Sequence, residues 1–388
     1  MNNKNIKGEK KIQSHKPDIG ILLYIILISV FGLAMVFDAS IFKALEIFNN
    51  QYYFVYQQLG WLIIGGIVAL IVYIFNYKYL IKLSPLGLII LVVLLIFTLI
   101  ASRAINGAKG WIEAGSIFSI QPTEFLKPIF IAFSAFYWGS EKRKEELGRK
   151  KFIYIVIAVI MIIPILLQPD FGSAMIFIVI AFIFYFISDH SKEHYFNIIK
   201  IGLVGIIALL IVSSFASYRV DRLNIWTEIL TTGTVKDING DGHQMYQTLV
   251  GVGSGGLWGK GFGQSRQRFG YLPENTAFTD SIVAVYLEEF GYIGGIVLIL
   301  SILFFLWRGI GIANRIADLG GKYLVMGLVS WIVFQSLFNI AVNIGLLPLT
   351  GITLPFISYG GSSMISLFIG IGLILNVSKY TDEQRNTR

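Results

Sequence analysis

The chain has 388 residues, of which 55% are hydrophobic and 14% charged, and its formal net charge is +8. Apolar runs of about 18 or more residues, each long enough to cross a bilayer as a helix, exclude an ordinary soluble enzyme. The absence of cysteine excludes a disulfide framework, a thiolate metal site and a cysteine nucleophile. The composition therefore predicts an all-α, polytopic membrane protein.

Ten apolar runs predict ten transmembrane helices. In chain order they cover residues 19–37, 55–75, 84–101, 122–138, 152–167, 172–187, 198–217, 279–307, 322–343 and 359–377. These helices form one predicted transmembrane domain over residues 19–377, which includes one long extracytoplasmic loop at 218–278. Residues 1–18 and 378–388 are predicted to be cytoplasmic tails, the first of them basic.

Basic residues predict the orientation, because cytoplasmic loops of membrane proteins carry an excess of Lys and Arg. The segments assigned to the cytoplasm are 1–18, 76–83, 139–151, 188–200, 308–322 and the C-terminal tail, and they hold 21 of the 31 basic residues. Both termini are therefore predicted to be cytoplasmic, in a multi-pass protein of the cytoplasmic (inner) membrane. Since the positive charge lies between apolar runs, it indicates anionic lipid as its partner and not nucleic acid.

No metal site is predicted from the sequence. The four histidines are scattered, whereas a structural zinc site needs four ligands. Asp237, Asn239, Asp241 and Gly242 match the first half of a calcium loop, but the twelfth position is Thr248 instead of Glu. A turn rich in Asn, Asp and Gly is the other interpretation of this stretch.

The loop at 218–278 is much longer than an ordinary connection between helices, and loops of this length are usually functional or disordered. Its core, GVGSGGLWGKGFGQSRQRFGYLP, mixes glycines with Trp258, Phe262, Phe269 and Tyr271. Disordered segments contain few aromatic residues. The composition therefore predicts a close-packed loop or a re-entrant segment with backbone groups available to a ligand.

A first polar cluster, NGAKGWIEAGSIFSIQPTEFLKP, occupies residues 106–128. Pro122 predicts a helix start, with Glu124 in the first turn and Lys127 three residues later on the same face. One interpretation is a capping carboxylate paired with a snorkelling lysine. Because Lys127 lies about one turn into the apolar run, a role facing a cavity is the alternative that we favour.

Two further polar clusters lie at 271–295 and 339–363. The first places Asp280, Glu288 and Glu289 in or beside a strongly apolar run, where acidic groups are expensive and usually functional. Asp280 and Glu288 are eight residues apart, close to one helical face. In the second, Asn339 and Asn343 are one turn apart and suited to hydrogen bonds between helices. Its two prolines indicate a short excursion outside the membrane.

Together these segments resemble the SEDS family of cell-wall polymerases. The matching pieces occur in family order over residues 106–363: NGAKGWI and FSIQPTEFLK, LQPDFGSA, SGGLWGKGFGQS, GYLPE followed by TD and EEFGYIGG, and GLLPLTGITLPFISYGGSS. The resemblance implies a peptidoglycan glycosyltransferase that joins lipid II disaccharides at the outer face of the cytoplasmic membrane. For this reaction a carboxylate near the outer surface can be the general base or can orient the attacking sugar hydroxyl, and cations can stabilise the pyrophosphate leaving group.

The resemblance assigns roles to particular residues. The essential aspartate of the family corresponds to Asp280, which is the catalytic candidate. The conserved Glu and Lys of the family correspond to Glu124 and Lys127, and its loop tryptophan to Trp111. Beside the resemblance, the residues themselves suggest four further substrate-binding candidates: Lys109, Arg266, Arg268 and Glu288. One departure concerns spacing: five residues separate Glu274 from Asp280, whereas the family pattern has three. No cofactor is assigned, although Mg²⁺ or another divalent cation near the pyrophosphate is compatible with the residues.

Within the family, the sequences QYYFVYQQLGW, GYLPE and TGITLPFISYGGSS look more like FtsW than RodA, which favours septal synthesis over elongation. The implied partners are lipid II (an undecaprenyl-pyrophosphate-linked disaccharide peptide), a class B penicillin-binding protein that supplies transpeptidase activity, and other division or elongation proteins. Three rivals stay open: a lipid II flippase, a secondary transporter and a structural scaffold for division. A transporter predicts inverted repeats, which are not evident.

Overall fold

The computed structural model describes residues 16–101, 110–114, 118–139, 147–168, 170–187, 217–273 and 276–380. In chain order the helices are α1 (Ile19–Phe48), α2 (Tyr53–Ile74), α3 (Tyr77–Ala101), α4 (Pro122–Gly139), α5 (Leu147–Leu167), α6 (Phe171–Ile187), α7 (Ser217–Thr232), α8 (His243–Ser254), α9 (Ile282–Asn314), α10 (Leu319–Asn343) and α11 (Gly361–Ser378). A hairpin of β1 (Ile112–Ala114) and β2 (Phe118–Ile120) precedes α4.

The helices confirm a polytopic α-helical membrane protein. Within the described ranges, seven of them (α1, α2, α3, α5, α9, α10 and α11) are long and apolar enough to cross a bilayer. The shorter α4 and α6 coincide with the predicted spans at 122–138 and 172–187. The remaining predicted span, 198–217, lies outside the described residues except for its last position. The assignment of the terminal tails to the cytoplasm stays a prediction.

Several helix boundaries differ from the predicted spans; α3 begins at Tyr77 instead of residue 84, and α9 continues to Asn314 instead of ending at residue 307. The first helix continues to Phe48 instead of ending at residue 37, because Asp38 is buried within the protein and does not mark the end of the apolar segment. It begins at the N-cap Asp18, whose carboxylate accepts a 3.0 Å hydrogen bond from the Ile21 amide. The predicted span 279–307 begins later, since α9 starts at Ile282.

The β-hairpin before α4 is a local exception to the all-α prediction. Its strands pair antiparallel, with Ile112 opposite Ile120 and Ala114 opposite Phe118. Two short strands alone are marginally stable, so this hairpin depends on the helices around it. One such contact is a 3.0 Å hydrogen bond from the Gln121 amide to Ser362 Oγ at the start of α11. The hairpin therefore fixes how the chain enters α4.

The predicted loop at 218–278 is ordered where it is described and contains α7 and α8. Helix α8 packs against α9 and α10. Asp237 closes a turn, because its carboxylate accepts hydrogen bonds from the amides of Gly240 (2.9 Å) and Asp241 (3.2 Å). This geometry agrees with the turn interpretation of the calcium-like stretch, since both carboxylate oxygens bind backbone amides.

Helices α10 and α11 form the centre of the protein. In their most apolar windows, 72% and 78% of the residues are buried, against 11% for α2. Helix α10 packs against α4, α6, α9 and α11, while α11 packs closely on α2. The close approach of α2 and α11 requires Gly372, where an added Cβ would lie 2.7 Å from the carbonyl oxygen of Ala69.

The second half of the connection between α10 and α11, residues 344–360, is enclosed by the protein, and the excursion outside the membrane stays a prediction. Residues 354–358 are buried although they are not helical. Irregular backbone at membrane depth is tolerated only where it is enclosed by protein. On one side the enclosure is α1, where Gly32 allows the backbone of Phe356 to pack directly against the helix.

Candidate functional site

Asp280 lies two residues before α9, where the chain turns from the long loop into the helix. Its backbone carbonyl accepts two hydrogen bonds from α10, one from Asn339 Nδ2 and one from Asn343 Nδ2, both 2.9 Å long. Asparagine side chains between helices are therefore used to hold the backbone of the catalytic candidate. The structure places Asp280 before the helix and not on the helical face that the spacing to Glu288 predicted.

The two residues before Asp280 are also held by hydrogen bonds. The carbonyl of Phe278 accepts a 2.8 Å bond from the Tyr359 amide, and the carbonyl of Thr279 accepts a 2.5 Å bond from Ser358 Oγ. Both donors belong to the connection between α10 and α11. The backbone of three successive residues is thus fixed by elements far away in sequence, so the position of Asp280 is defined by the folded core.

The carboxylate of Asp280 has a donor on each oxygen. Thr279 Oγ1 donates to Oδ1 (3.0 Å) and Gln244 Nε2, from α8, donates to Oδ2 (3.2 Å). Burial raises the pKa of Asp280 above its ordinary value, while the nearby charge of Arg222 and these two hydrogen bonds oppose the shift. A carboxyl group with a raised pKa is a stronger proton acceptor once ionised.

A buried ion pair lies deeper in the protein. Lys127 Nζ contacts Glu124 Oε1 at 2.6 Å, and the two residues are 2% and 7% exposed. Lys127 also donates to Gln335 Oε1 at 3.4 Å, and that oxygen accepts a second hydrogen bond from the Trp331 indole (2.8 Å). The pair is therefore enclosed by α10 and does not snorkel toward a membrane surface.

Helix α10 connects the ion pair to Asp280. Gln335, Asn339 and Asn343 follow one another at intervals of four residues and share one face. Gln335 contacts Lys127 and also donates to the carbonyl of Thr353 (3.1 Å), whereas Asn339 and Asn343 hold Asp280. At 1.5 Å per residue the eight positions span about 12 Å along the helix. We call these three residues the polar ladder.

Glu288 is buried within α9 and organises the glycine-rich loop, which we define as residues 255–270. It is 1% exposed, and its carboxylate forms an ion pair of 2.5 Å with Lys260. It also accepts hydrogen bonds from Ser265 Oγ (2.6 Å) and the amide of Arg266 (3.1 Å). These partners make Glu288 the anchor of the loop, and a direct contact with substrate stays a prediction.

Glu289 and Arg268 contribute to the same anchoring. Glu289 accepts hydrogen bonds from the amides of Gly263 (3.0 Å) and Ser265 (3.2 Å). The guanidinium of Arg268 is paired with Asp38 on α1. The glycine-rich loop is thereby tied to both α1 and α9 through buried acidic side chains.

Helix α9 is kinked at Gly291, and the glycine-rich loop fills the break. Gly291 has φ 64° and ψ −162°, a combination available essentially to glycine alone. Four backbone hydrogen bonds of 2.9 to 3.1 Å join the loop to the kink: Lys260 N to Glu288 O, Gly261 N to Glu289 O, Tyr292 N to Gly256 O and Ile293 N to Leu257 O. In a continuous helix these backbone groups of α9 would be bonded within the helix; the kink leaves them available to bind the glycine-rich loop.

Comparison with known proteins identifies the family. The model of the FtsW/RodA/SpoVE cell cycle proteins matches residues 19–383. This chain belongs to the FtsW/RodA/SpoVE family. The match covers nearly the whole chain, so it confirms the resemblance to the SEDS family of cell-wall polymerases.

Individual members of the family show the same extent of similarity. The chain is 37% identical over 374 residues to Stage V sporulation protein E of Bacillus subtilis (strain 168), covering 94% of this chain and 98% of that protein. It is 32% identical over 388 residues to the protein of the same organism named Probable peptidoglycan glycosyltransferase FtsW, covering 98% and 94%.

Its fold also matches a chain of a solved peptidoglycan synthase complex, studied for the coordination of polymerization and crosslinking. The TM-score is 0.74 at 23% identity, and the match covers 93% of this chain and 97% of that one. The likeness supports the fold of a FtsW/RodA/SpoVE protein.

The remaining site candidates are spread over the protein. Trp111 is partly buried just before β1, and Arg266 is exposed on the glycine-rich loop. Lys109 lies outside the described residues. The structure thus groups the candidates into an Asp280 centre, a buried Glu124–Lys127 pair and the glycine-rich loop. The roles assigned to them stay predictions.

Sequence reasoning missed three polar residues of this FtsW/RodA/SpoVE chain: Arg222, Gln244 and Gln335. Gln335 had a readable signal, because it continues the four-residue spacing of Asn339 and Asn343 on an apolar helix. Arg222 and Gln244 had none, since both lie in a long polar segment where charged and amide side chains are common. Only the folded structure brings them to Asp280.

Proposed function

We propose that this protein is a peptidoglycan glycosyltransferase that polymerises lipid II at the outer face of the cytoplasmic membrane. Its family membership and the printed name of its FtsW relative support this proposal. The observation that carries it is Asp280, a carboxyl with a raised pKa on a backbone held by three hydrogen-bonded carbonyls. Such a group is suited to accept a proton from a sugar hydroxyl.

In the proposed reaction, a hydroxyl of one sugar attacks the anomeric carbon of a second sugar. The carboxylate of Asp280 takes the hydroxyl proton as the new glycosidic bond forms, and the bond to the lipid-linked pyrophosphate breaks. The pyrophosphate leaves with the electron pair and needs positive charge nearby. Arg266, which is exposed on the glycine-rich loop, is better placed for this than Arg268, which is paired with Asp38.

The buried Glu124–Lys127 pair has a different proposed role. Lys127 is neutralised by Glu124 and is 2% exposed, so its charge is already compensated inside the protein. The pair sits on the polar ladder whose other end holds Asp280. We therefore assign the Glu124–Lys127 pair a structural role, in which it supports the helix that holds Asp280. Either side chain would contact substrate directly only if the ion pair opened.

A divalent cation is compatible with this site but is assigned no step. Mg²⁺ is usually bound by one or two carboxylates together with substrate phosphates. Asp280 offers one such carboxylate. Among the residues with described positions, no group of three or more His, Cys, Asp or Glu is arranged to hold a metal. A bound cation at Asp280 would therefore depend on the pyrophosphate for further ligands.

The biological setting that we propose is septal synthesis in cell division, with a class B penicillin-binding protein as partner. Relatives named FtsW and Stage V sporulation protein E support this setting. The fold likeness to a chain of a peptidoglycan synthase complex supports a partner with crosslinking activity. Elongation in the manner of RodA is the alternative. Both termini are assigned to the cytoplasm from the distribution of Lys and Arg.

The test uses the purified full-length protein in liposomes with fluorescent lipid II, with and without the partner transpeptidase. We expect glycan ladders from wild type and none from Asp280→Asn. Asp241→Asn is the matched control, because Asp241 is exposed on the same long loop, and it should polymerise like wild type. Equal ladders from wild type and Asp280→Asn would disprove the role of Asp280. Transport of lipid II without any polymer would instead favour a flippase.

A further inference from the structure

The long loop contributes two side chains to the surroundings of Asp280. Gln244, the second residue of α8, donates through Nε2 to Asp280 Oδ2 (3.2 Å) and to Ser281 Oγ (3.3 Å). Arg222, on α7, places its charge near Asp280 while its Nη1 donates to the carbonyl of Leu349 at 3.0 Å. Gln244 of α8 thus contacts the carboxylate directly, whereas Arg222 of α7 acts on it through its charge.

The other elements packed around Asp280 contribute uncharged groups. From α10 come the amides of Asn339 and Asn343, and from the connection at 344–360 comes the hydroxyl of Ser358, all directed at backbone carbonyls. His243 adjoins Gln244, but its two ring nitrogens face the carbonyls of Ile238 and Tyr271 at 2.9 Å. Among the residues that the structure describes, Arg222 is therefore the charged group that acts on Asp280.

A partly buried base such as Asp280 has two requirements that these side chains meet. Burial favours the neutral acid, so a positive charge or hydrogen-bond donors are needed to keep the carboxylate ionised. The carboxylate must also present a fixed lone pair, because misplaced catalytic groups lose reaction rate. Thr279 restrains Oδ1 from the adjacent residue, whereas Gln244 restrains Oδ2 from a separate helix.

We propose that Gln244 and Arg222 are positioning residues for Asp280, with Gln244 fixing the direction of Oδ2 and Arg222 keeping the carboxylate ionised. This inference rests on the proposed glycosyltransferase function and extends it, because it makes α7 and α8 part of the catalytic centre. The long loop is then a source of active-site groups in addition to being a connection between spans.

The experiment measures the rate of lipid II polymerisation against pH for the full-length protein in liposomes. Gln244→Met removes the donor and keeps a side chain of similar length. Loss of a hydrogen bond to the ionised form raises the proton affinity of Asp280, so the acidic limb should move to higher pH by about one unit. At a fixed pH on that limb the rate should fall about tenfold.

Matched variants separate positioning from general damage. Gln247 lies one turn further along α8, where its Oε1 accepts a 3.4 Å hydrogen bond from Gln267 and does not contact Asp280. Gln247→Met should keep the wild-type profile. Arg222→Met should shift the acidic limb upward as Gln244→Met does, whereas Arg222→Lys, which keeps the charge, should leave the limb in place. Thermal unfolding of each variant identifies any that fails to fold.

The outcomes distinguish this inference from the function on which it rests. Wild type without polymer would overturn the proposed function and the inference together. Active wild type with active Asp280→Asn would overturn the role of Asp280 and hence of its positioning residues. If Asp280→Asn is inactive but the folded Gln244→Met and Arg222→Met variants keep the wild-type acidic limb, the inference alone is overturned. Should Gln244→Met fail to fold, the Arg222 pair decides the result.

Discussion

Replacing Gly291 by alanine tests the contact between the kink of α9 and the glycine-rich loop. An added Cβ would collide with the backbone of Gly259 and lie 2.7 Å from the carbonyl oxygen of Leu257. The backbone angles of Gly291 would also become strained, at about 1–3 kcal/mol. Because the colliding atoms are backbone, the loop must move away. The four hydrogen bonds that join it to the kink are then lost, at about 1 kcal/mol each.

Together these effects destabilise the docked loop by about 5–7 kcal/mol. An energy of this size raises the population of the undocked loop by about four to five orders of magnitude. Trypsin is a suitable probe, since Lys260, Arg266 and Arg268 all lie in the loop. When opening is fast relative to cleavage, the cleavage rate follows that population. Gly291→Ala should therefore be cut at these sites far faster than wild type.

Gly311→Ala is the control, because Gly311 belongs to the same helix and a Cβ there would meet no atom within 4 Å. In a helix interior this change stabilises by about 0.5–1 kcal/mol, so cleavage of the loop should not increase. Equal cleavage of Gly291→Ala and wild type would refute the reasoning. It would mean that the loop is not held by the kink.

Three further predictions concern the polar core. Asp280→Asn should raise the unfolding temperature at neutral pH. Because the pKa of Asp280 is raised in the folded protein, protonation of its carboxyl stabilises the fold at acidic pH, and this stabilisation is lost as the pH rises through the folded-state pKa. The increase in unfolding temperature caused by Asp280→Asn should therefore be smaller at acidic pH. Lys127→Met should destabilise by about 3–5 kcal/mol by stranding Glu124, and thermal unfolding of the double variant with Glu124→Gln should show most of that loss recovered. Asn339→Ala and Asn343→Ala each leave one hydrogen-bond donor on the Asp280 carbonyl, whereas the double variant leaves none. In a double-mutant cycle, the loss of stability of the double variant should therefore exceed the sum of the two single losses. Additive losses would contradict the shared acceptor.

Much of the fold could be predicted from hydropathy. Helices α1 to α6 and α9 to α11 coincide with nine of the ten predicted spans, because a membrane helix needs a continuous apolar run and the runs are read directly from the sequence. The error at the end of the first span arose because a charged residue is paired inside the protein. Asp38 seemed to end the first span, but its pairing with Arg268 allows the helix to continue.

The candidate site was predicted in part. Asp280 and the Glu124–Lys127 pair stood out because acidic and basic groups are rare in apolar segments. Gln244 and Arg222 did not stand out, since their contact with Asp280 depends on how α7 and α8 fold back toward α9. The kink at Gly291 was also invisible, because a glycine in an apolar run is as compatible with a straight helix as with a broken one.

The three carbonyls held at Phe278, Thr279 and Asp280 make this site tolerant of insertions upstream. Lengthening the segment between Glu274 and Asp280 from three residues to five costs about 0.5 kcal/mol in loop-closure entropy, whereas the held backbone keeps the carboxylate where it is. The unusual spacing between Glu274 and Asp280 is therefore compatible with an unchanged catalytic geometry.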